Sequence, residues 1–373
     1  EAVNLGALRR RTLRIVGRLS KGIEYLLERS GVGIHRGRAR LDGGRAVSVG
    51  RERIEAGAIL VATGSSPRRA AQLDAQGVIT SDDVFDLTDV PSPVVVAGAG
   101  AMGMEMAHIF SCLGADVTVI EEQDRILPSL DEEVSRFVEN HYRSVRFMTG
   151  ARILAITPRG PRLSLEVADR AGAVAVEAQA CVSCVGRVPV LPEGVREAGI
   201  ELGETGGILV DARMHTSAEG VYAAGDVTGS HMYAYVAARE AEVAVSHITG
   251  DTPRTMDYST VPVVVFLDPE IASVGTTSHR SRTGAFPVSA LGRARAMEIS
   301  EGFARVSCRP DGVVEGVLIV APHAAELVSW ASLAVHAHLD VEEFLSPLCP
   351  HPTMAELLKE AAEDVLGLCL HKP

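Results

Sequence analysis

The sequence predicts an α/β fold followed by a smaller α+β module, and three patterns support this prediction. A strand, a helix and a second strand are expected in succession over residues 93–122. Strands followed by a helix are expected again over 207–248, and the last third of the chain has strands first and helices afterwards. Alternating strands and helices are typical of a parallel sheet, whereas segregated strands and helices are typical of an α+β unit.

The individual elements follow from hydrophobic periodicity along the chain. Residues 1–33 have the spacing of a long amphipathic helix, and short strand patterns fill residues 34–64. Within the second α/β region, the run GILVDA at 207–212 is expected to be a strand. After residue 256, the runs PVVVFLD, ARVSCRP and GVVEGVLIV are expected to be strands, and helices are expected over 324–339 and 353–366.

The composition restricts the class of protein and its partners. A chain of 373 residues with 46% hydrophobic and 23% charged residues is long enough for two or three domains. The formal net charge of −12 argues against a nucleic-acid partner, which would need a basic surface. The chain has no run of 18 apolar residues, so no membrane partner is expected. The six scattered cysteines favour free thiols in a reducing compartment, and we expect a cytoplasmic protein.

One cysteine pair, Cys181 and Cys184, has the spacing of a redox or metal motif. It lies in the run AQACVSCVGR, whose alternating apolar residues predict a strand. Residues three apart on a strand point to opposite faces, so a disulfide between these two thiols is not expected. A zinc site would need further ligands, and the sequence has no second C-x-x-C. We therefore predict two buried structural thiols and no metal site.

The clearest functional motif is PVVVAGAGAMGMEMAHIFSCLGADVTVIEE at residues 93–122. Gly98, Gly100 and Gly103 form G-x-G-x-x-G between a β-branched run and a predicted helix. These glycines would allow a tight turn, the approach of a pyrophosphate to the backbone, and close packing of helix and strand. Glu121, about 20 residues further on, could accept hydrogen bonds from both ribose hydroxyls and would repel a 2′-phosphate. The motif predicts a dinucleotide site that prefers NAD to NADP.

A second motif, HPTMAE at residues 351–356, lies where the last predicted helix begins. Thr353 and Glu356 fit the capping box T-x-x-E, in which two side chains satisfy each other's backbone N–H groups. The capping box does not account for His351. A histidine with an acidic partner can exchange protons near neutral pH, so His351 is a candidate catalytic base.

Eight segments in a fixed order give the chain a resemblance to a known family. They are LSKGIEYLL, ILVATGSSPR, VAGAGAMGMEMA, TVIEEQDRILPSLDEEV, CVGRVP, VYAAGDVTG, FLDPEIASVGTT and HPTMAELLKEAA. On these segments the chain resembles the pyridine nucleotide-disulfide oxidoreductases, and among them the dihydrolipoamide dehydrogenase family. The resemblance implies a two-Rossmann architecture that binds FAD and NAD(P), together with a C-terminal α+β dimerisation domain.

The resemblance also implies a division of the chain into four parts. Residues 1–90 would be a remnant of the FAD-binding domain, and 91–190 would be the NAD-binding Rossmann domain. Residues 191–255 would form the second part of the FAD-binding and central region, and 256–373 the dimerisation domain. The first Rossmann unit is expected to be truncated, because the sequence has neither an earlier G-x-G-x-x-G nor the C-x-x-x-x-C of the family's redox disulfide. We expect the 373 residues to begin inside the helix that follows this missing segment.

Individual binding residues are implied by the same resemblance. Asp226 would bind the ribityl chain of FAD, and the other residues on the flavin side would be Thr63, Gly64, Gly225 and the turn formed by Met232, Tyr233, Ala234 and Tyr235. On the NAD side, Glu121 would hold the adenosine ribose, Ile153 would lie near the adenine, and Gly186 and Arg187 would close the nicotinamide side. Glu105 matches an acid that pairs with a lysine near the flavin.

For catalysis, the resemblance implies that His351 accepts a proton from a dithiol and that Glu356 orients the imidazole. The histidine would act in a homodimer, on the flavin site of the partner subunit. The implied reaction oxidises dihydrolipoamide, presented as the dihydrolipoyl group of an acyltransferase or carrier protein. The electrons would reduce NAD by way of the disulfide and FAD.

Three other functions are compatible with parts of the sequence. A flavin-dependent NAD(P) transhydrogenase would need no redox disulfide, but it would leave His351 without a purpose. Related disulfide reductases that use NADP are disfavoured, because Glu121 favours NAD. A non-catalytic, NAD-binding dimeric scaffold agrees with the missing first G-x-G-x-x-G, but it does not explain the retained ATGSSP, GDV and HPTMAE segments.

Overall fold

The computed structural model describes most of the chain, namely residues 4–43, 45–276 and 281–372. The chain divides into two compact units. The first unit combines residues 1–129 with 139–256, and the second combines 130–138 with 257–373. No helix in the described ranges is both long and apolar enough to cross a membrane.

Fifteen of the named strands belong to the first unit, and most of them are short. They are β1 (Ala39–Leu41), β2 (Ala46–Val49), β3 (Glu52–Glu55), β4 (Ile59–Val61), β5 (Ser65–Pro67), β6 (Val78–Thr80), β7 (Val94–Ala97), β8 (Val117–Glu121), β9 (Val145–Thr149), β10 (Arg152–Arg159), β11 (Arg162–Asp169), β12 (Gly172–Ala178), β13 (Ala180–Ser183), β14 (Arg187–Pro189) and β15 (Val221–Ala223). The helices up to residue 256 are α1 (Leu5–Arg29), α2 (Ala101–Cys112), α3 (Glu132–His141) and α4 (Ala234–Thr249), with short 3-10 helices at Ala71–Leu73, Asp83–Asp86 and Gly225–Thr228.

The central sheet of the first unit is parallel throughout, in the order β6-β13-β7-β8-β9. All residues of β7 and β13 are buried, as expected for parallel strands that are covered on both faces. The antiparallel sheet β10-β11-β12 contributes to this cover, because Leu165 and Val167 share one buried cluster with Val95 and Ile120. Because β7 lies between β8 and β13, the loops that follow these three strands meet at one edge of the sheet.

Three smaller sheets complete the first unit. β4 and β15 form a parallel pair, β5 and β14 an antiparallel pair, and β1, β2 and β3 an antiparallel sheet. Ile59, Val61, Val221 and Ala223 of the parallel pair are buried in a common cluster. The chain segments that leave β4 and β15 therefore start from fixed positions.

Helix α1 is amphipathic, yet none of its residues is buried. Five aliphatic side chains along it are 49–66% exposed, namely Leu13, Val16, Leu19, Ile23 and Leu26. Arg9 joins the helix to Asp86 through an ion pair of 2.7 Å. An exposed apolar stripe of this extent is typical of a surface that contacts another segment or molecule.

The second unit is built on an antiparallel sheet of the order β16-β17-β20-β19-β18. Phe286 and Ile319 of this sheet share a buried cluster with Val328 and Leu358 from two helices. The strands are β16 (Val263–Val265), β17 (Ile271–Gly275), β18 (Arg282–Pro287), β19 (Phe303–Cys308) and β20 (Val314–Val320). The helices are α5 (Gly292–Ala296), α6 (Ala324–His336), α7 (Val341–Leu345) and α8 (Glu356–Val365), with a 3-10 helix at Val288–Ala290.

Two local predictions were wrong. Residues 207–212 do not form a strand, because their N–H groups bond to separate loops, Ile208 to the carbonyl of Val227 and Leu209 to that of Glu201. The capping box at Thr353 is only half formed. The carboxylate of Glu356 accepts from the N–H of Thr353 at 2.9 Å, whereas Thr353 Oγ1 donates to the carbonyl of Pro350 at 2.8 Å.

Candidate functional site

A cavity of about 460 Å³ lies at the carboxyl end of the parallel sheet in the first unit. Its walls include residues that follow β7, β8 and β13, namely Gly98, Gly100, Glu122, Gln123, Cys184 and Val185. Ile153, Arg152 and Arg68 line it as well. A volume of this size is in the range of small-molecule and cofactor sites, and ligands of open α/β sheets bind at this edge.

The three motif glycines shape one wall of this cavity for different reasons. Gly98 has a φ of +96°, and a Cβ on it would lie 2.6 Å from the carbonyl oxygen of Cys184. A Cβ on Gly103 would lie 1.9 Å from the carbonyl oxygen of Gly98, so α2 packs tightly on the end of β7. A Cβ on Gly100 would instead meet open space, with no atom beyond its chain neighbours within 4 Å. The backbone at the start of α2 is therefore accessible to a phosphate group.

Glu121 is the last residue of β8 and lines the same cavity. Its carboxylate is held at both oxygens, because Oε2 accepts from the N–H of Ala99 at 2.7 Å and Oε1 accepts from the N–H of Gln123 at 2.8 Å. The residue is 9% exposed. Each oxygen can accept a further hydrogen bond, so the carboxylate is fixed in a position from which it could bind hydroxyl groups.

The neighbouring residues add a hydrophobic surface and an ion pair to the same region. Ile153, at the start of β10, is 6% exposed and lines the cavity. Arg152 lies beside it, and its Nε is 3.3 Å from Oε1 of Glu122. The cavity thus has an apolar contact, a fixed carboxylate and a paired guanidinium at the side where β8 and β9 end.

A second group of predicted residues lies where the parallel strands β4 and β15 end. Ser65 Oγ donates to Oδ2 of Asp226 at 2.5 Å, and Arg187 Nε donates to Ser65 Oγ at 2.8 Å. Arg187 also pairs with Asp82 at 3.4 Å. Gly186 and Arg187 are not among the residues that line the cavity of the first group. Arg187 is therefore linked to Asp226 through Ser65 and does not line the cavity of the first group.

Thr63 and Gly64 form the turn that leaves β4. Thr63 Oγ1 donates to the carbonyl of Val190 at 2.5 Å, and the N–H of Val190 donates back to the carbonyl of Gly64 at 2.9 Å. Gly64 has a φ of +74°, and a Cβ on it would meet no atom within 4 Å. This turn leaves open backbone at the carboxyl end of β4, close in the fold to the Ser65 and Asp226 contact.

The start of α4 carries two stacked tyrosines. The rings of Tyr233 and Tyr235 are 5.3 Å apart and within 8° of parallel, on either side of Ala234, the first residue of the helix. Burial raises the pKa of Tyr233, and the nearby carboxylate of Glu105 raises it further. Burial, followed by charge repulsion from the Tyr233 phenol, raises the pKa of Tyr235 to about 12. Met232 precedes the pair and is half-buried. Both phenols therefore stay protonated through the neutral range.

Sequence analysis did not identify two residues that hold the predicted flavin-side residues in place, Ser65 and Glu240. Ser65 links Asp226 to Arg187, although a serine in the run ATGSSP gave no sign of it beyond its position after a strand. Glu240 on α4 is fully buried, and its Oε2 accepts from the N–H of Gly225 at 2.6 Å. An acid on the apolar face of a predicted helix was the available signal for Glu240.

In the second unit, His351 and Glu356 are in direct contact. His351 Nδ1 lies 2.8 Å from Oε1 of Glu356, whose other oxygen accepts from the N–H of Thr353 at 2.9 Å. The side chain of Glu356 is 15% exposed, whereas that of His351 is 74% exposed. With Nδ1 donating to the carboxylate, Nε2 of the imidazole has its lone pair directed away from Glu356 and available for a proton.

Family models match both parts of the chain. Residues 2–241 match the pyridine nucleotide-disulphide oxidoreductases, and residues 261–362 match the dimerisation domain of the same family. The chain belongs to this family. The chain therefore has the two-Rossmann flavoprotein architecture with a dimerisation domain that was predicted from the sequence.

Individual relatives narrow the relationship within the pyridine nucleotide-disulphide oxidoreductases. Dihydrolipoyl dehydrogenase of Bacillus subtilis is 30% identical over 99% of this chain and 84% of its own length. Dihydrolipoyl dehydrogenase of Haloferax volcanii is 34% identical over 99% of this chain and 82% of its own length. The crystal structure of LpdA from Mycobacterium tuberculosis has a TM-score of 0.90 and 31% identity, covering 97% of this chain and 84% of that one. This oxidoreductase is thus dihydrolipoamide dehydrogenase-like.

Enzymes of this family use FAD and NAD(P), and the residues of this oxidoreductase fit both. The open backbone at Gly100 and the fixed carboxylate of Glu121 suit the pyrophosphate and ribose of a dinucleotide. The open turn at Gly64 and the carboxylate of Asp226 lie at the ends of a second parallel strand pair, where a flavin nucleotide would bind. Within the described ranges, no group of three or more His, Cys, Asp or Glu side chains is placed to hold a metal ion.

The cysteines of the C-x-x-C motif are free, buried thiols, as predicted. Cys181 is in β13, and Cys184 directly follows that strand. Burial raises the pKa of each thiol to about 12 from an ordinary value of 9.0. Because the thiolate is the reactive form, neither group is available as a nucleophile in the folded protein.

We expect alkylation at mildly alkaline pH to distinguish these thiols from the exposed Cys112. Cys112 should react with iodoacetamide in the native protein, whereas Cys181 and Cys184 should react only after denaturant is added. Mass spectrometry of the digested protein measures the labelling of each cysteine. Rapid native labelling of Cys181 would contradict its burial.

The two raised pKa values also predict how stability depends on pH. These thiols should leave the free energy of unfolding unaffected below about pH 9 and lower it as the pH rises toward 12, because the thiols ionise first in the unfolded chain.

Proposed function

We propose that this oxidoreductase transfers electrons from dihydrolipoamide to NAD, giving lipoamide, NADH and a proton, and that it does so as a homodimer. The observation that supports the proposal best is that one chain combines an open glycine turn and a fixed carboxylate with an anchored histidine–glutamate pair. A non-catalytic scaffold would need the first feature and not the second. The substrate dithiol would be carried by the dihydrolipoyl group of an acyltransferase or carrier protein.

On the NAD side, we propose that the residues around the cavity hold and select the cofactor. Gly98, Gly100 and Gly103 would bring the start of α2 to the pyrophosphate, where its free N–H groups stabilise negative charge. The fixed carboxylate of Glu121 would accept from the adenosine ribose hydroxyls and disfavour a 2′-phosphate. Ile153 would contact the adenine. Rigid placement of Glu121 supports this role because no reorganisation is needed on binding.

On the flavin side, bound FAD would supply the relay of two electrons between dithiol and NAD. We propose that Asp226 binds its ribityl chain, with Ser65 holding the carboxylate of Asp226 and Arg187 holding the hydroxyl of Ser65. Thr63 and Gly64 would contact the ADP half, and Gly225 is kept in place by Glu240. The residues Met232, Tyr233, Ala234 and Tyr235 at the start of α4 would lie against the flavin, and Glu105 would face it from α2. Gly186 and Arg187 are proposed to lie on the nicotinamide side.

In the second unit, we propose that His351 accepts the proton of a dithiol through Nε2 while Glu356 holds Nδ1. The exposure of the imidazole supports a role toward another molecule, and the matched dimerisation domain supports a partner subunit as its location. We propose residues 1–90 and 191–255 as the FAD-binding parts, 91–190 as the NAD-binding domain and 256–373 as the dimerisation domain.

The test uses the protein expressed from the longest reading frame that contains these 373 residues. After incubation with FAD and desalting, the protein should keep a flavin absorption band. With dihydrolipoamide and NAD it should then form NADH, and NADP should be a much poorer acceptor. A protein that stays colourless after FAD addition would contradict flavin binding. A flavin-bound protein that reduces glutathione disulfide with NADH, but does not oxidise dihydrolipoamide, would instead be a related disulfide reductase.

A further inference from the structure

We propose that Glu122 is a specificity-determining residue of the dinucleotide site, which acts by occupying the guanidinium of Arg152. This inference rests on the proposed function, since it concerns the same cavity. It starts from the fact that two consecutive acids line the cavity, Glu121 as the last residue of β8 and Glu122 directly after it. Glu121 belongs to the dinucleotide motif, whereas the motif assigns nothing to Glu122.

Glu121 is fixed in position, so selection against a larger ligand also depends on the residues around it. Both carboxylate oxygens of Glu121 are held by backbone N–H groups, those of Ala99 and Gln123, and the residue is 9% exposed. The side chain of Glu121 therefore has no freedom to turn away from a larger ligand. A cofactor with a 2′-phosphate would be accepted only if a cation nearby offset the charge of Glu121.

Such a cation is present in Arg152. It lines the same cavity, one residue before the buried Ile153. Arginine binds phosphate with two parallel N–H donors and keeps its charge at all physiological pH values. An unpaired Arg152 would thus favour the 2′-phosphate that Glu121 disfavours. In the structure its Nε lies 3.3 Å from Oε1 of Glu122 instead.

Glu122 has two effects on a 2′-phosphate, and both oppose binding. It offsets the charge of Arg152, with its Oε1 3.3 Å from Nε of the guanidinium, and it adds a second negative charge beside Glu121. The side chains of Arg152 and Glu122 are 65% and 62% exposed. An ion pair this exposed contributes little to folding stability, so its removal should change ligand selection and leave the protein folded.

The test measures binding of ADP-ribose and of its 2′-phosphate form by calorimetry at low ionic strength, which requires neither flavin nor turnover. Glu122→Gln should leave the Kd for ADP-ribose within about twofold and tighten the 2′-phosphate form by roughly three- to tenfold. In the double variant Glu122→Gln with Arg152→Gln, this gain should disappear. The matched control is Glu242→Gln, which breaks an exposed Glu–Arg pair of 2.8 Å with Arg239 on α4, outside the cavity.

The outcomes separate this inference from the function on which it rests. If the parent protein binds ADP-ribose but Glu122→Gln leaves the ratio of the two Kd values unchanged, the role of Glu122 is wrong. The same conclusion holds if Glu242→Gln produces an equal gain, or if the gain survives the loss of Arg152. If the parent protein binds neither ligand, the dinucleotide site of the proposed function is itself wrong, and this inference fails with it.

Discussion

Replacing His351 with glutamine should lower kcat for NAD reduction by dihydrolipoamide by about 10²- to 10⁴-fold, the usual contribution of a positioned acid–base group. Glutamine keeps a polar side chain next to Glu356 but cannot take up a proton. The imidazole is 74% exposed and makes its 2.8 Å contact through Nδ1, so the loss falls on the proton acceptor rather than on the packed core. The rate of NADH formation measures the effect.

The control for this prediction is another histidine–glutamate pair in the same unit. His371 Nδ1 lies 2.9 Å from Oε1 of Glu360, and the imidazole is 69% exposed. His371→Gln therefore removes a similar contact at a position to which no catalytic role is assigned, and activity should stay close to that of the parent. Reduction of a one-electron dye by NADH uses the flavin but no dithiol, so it should be unchanged in both variants. Equal losses in both, or full activity of His351→Gln, would rule out the proposed role.

The cavity at the carboxyl end of the parallel sheet was predictable because its determinants are local in sequence. Gly98, Gly100 and Gly103 lie in one turn, and Glu121 follows at the end of the next strand. The spacing of a strand, helix and strand fixes where these residues meet, and β7, α2 and β8 follow one another within the predicted region of residues 93–122. The pairing of His351 with Glu356 is local in the same sense, since five residues separate them.

The contacts among Ser65, Arg187 and Asp226 were not predictable in this way. Ser65 and Asp226 are 161 positions apart, and Arg187 and Ser65 are 122 positions apart. Only the tertiary arrangement of β5, its partner strand β14 and the segment after β15 brings them together, and no local pattern encodes it. The expected strand at 207–212 failed for a related reason. Its apolar run has the composition of a strand, but a strand also needs a neighbour that offers a continuous ladder of hydrogen bonds.

The capping-box rule is correct, but at the start of α8 it predicted a cap that is only half formed. Thr353 and Glu356 match the capping-box pattern, yet Thr353 Oγ1 is used by the carbonyl of Pro350. A complete capping box occurs instead at Asp340 and Glu343, where each side chain accepts from the other's backbone N–H. Glu356 is thus left with one oxygen for His351 and one for the backbone. The partial cap makes the carboxylate a bridge between the helix start and the imidazole.

Replacing Gly103 with alanine should destabilise the first unit and abolish dinucleotide binding together. The added Cβ would lie 1.9 Å from the carbonyl oxygen of Gly98, a backbone atom that cannot rotate away, and 3.4 Å from Cβ of Cys184. Forcing α2 outward costs about 1–3 kcal/mol, as for other overpacked interiors. Because Cys184 follows β13 at this contact, its alkylation in mild denaturant should quicken in the variant and reports the opening of this sheet directly.

Replacing Gly100 with alanine should weaken dinucleotide binding without destabilising the fold, so it distinguishes the two effects at the same turn. Its Cβ would meet no atom within 4 Å, and its φ of −69° is accessible to alanine, so alkylation of Cys184 should remain as slow as in the parent. The methyl group would nevertheless stand where the pyrophosphate approaches the start of α2, and binding of ADP-ribose should weaken by an order of magnitude or more. If Gly100→Ala bound ADP-ribose normally, the ligand would not contact this turn. If Gly103→Ala were as stable as the parent, the close packing of α2 on β7 would not be what makes a glycine necessary there.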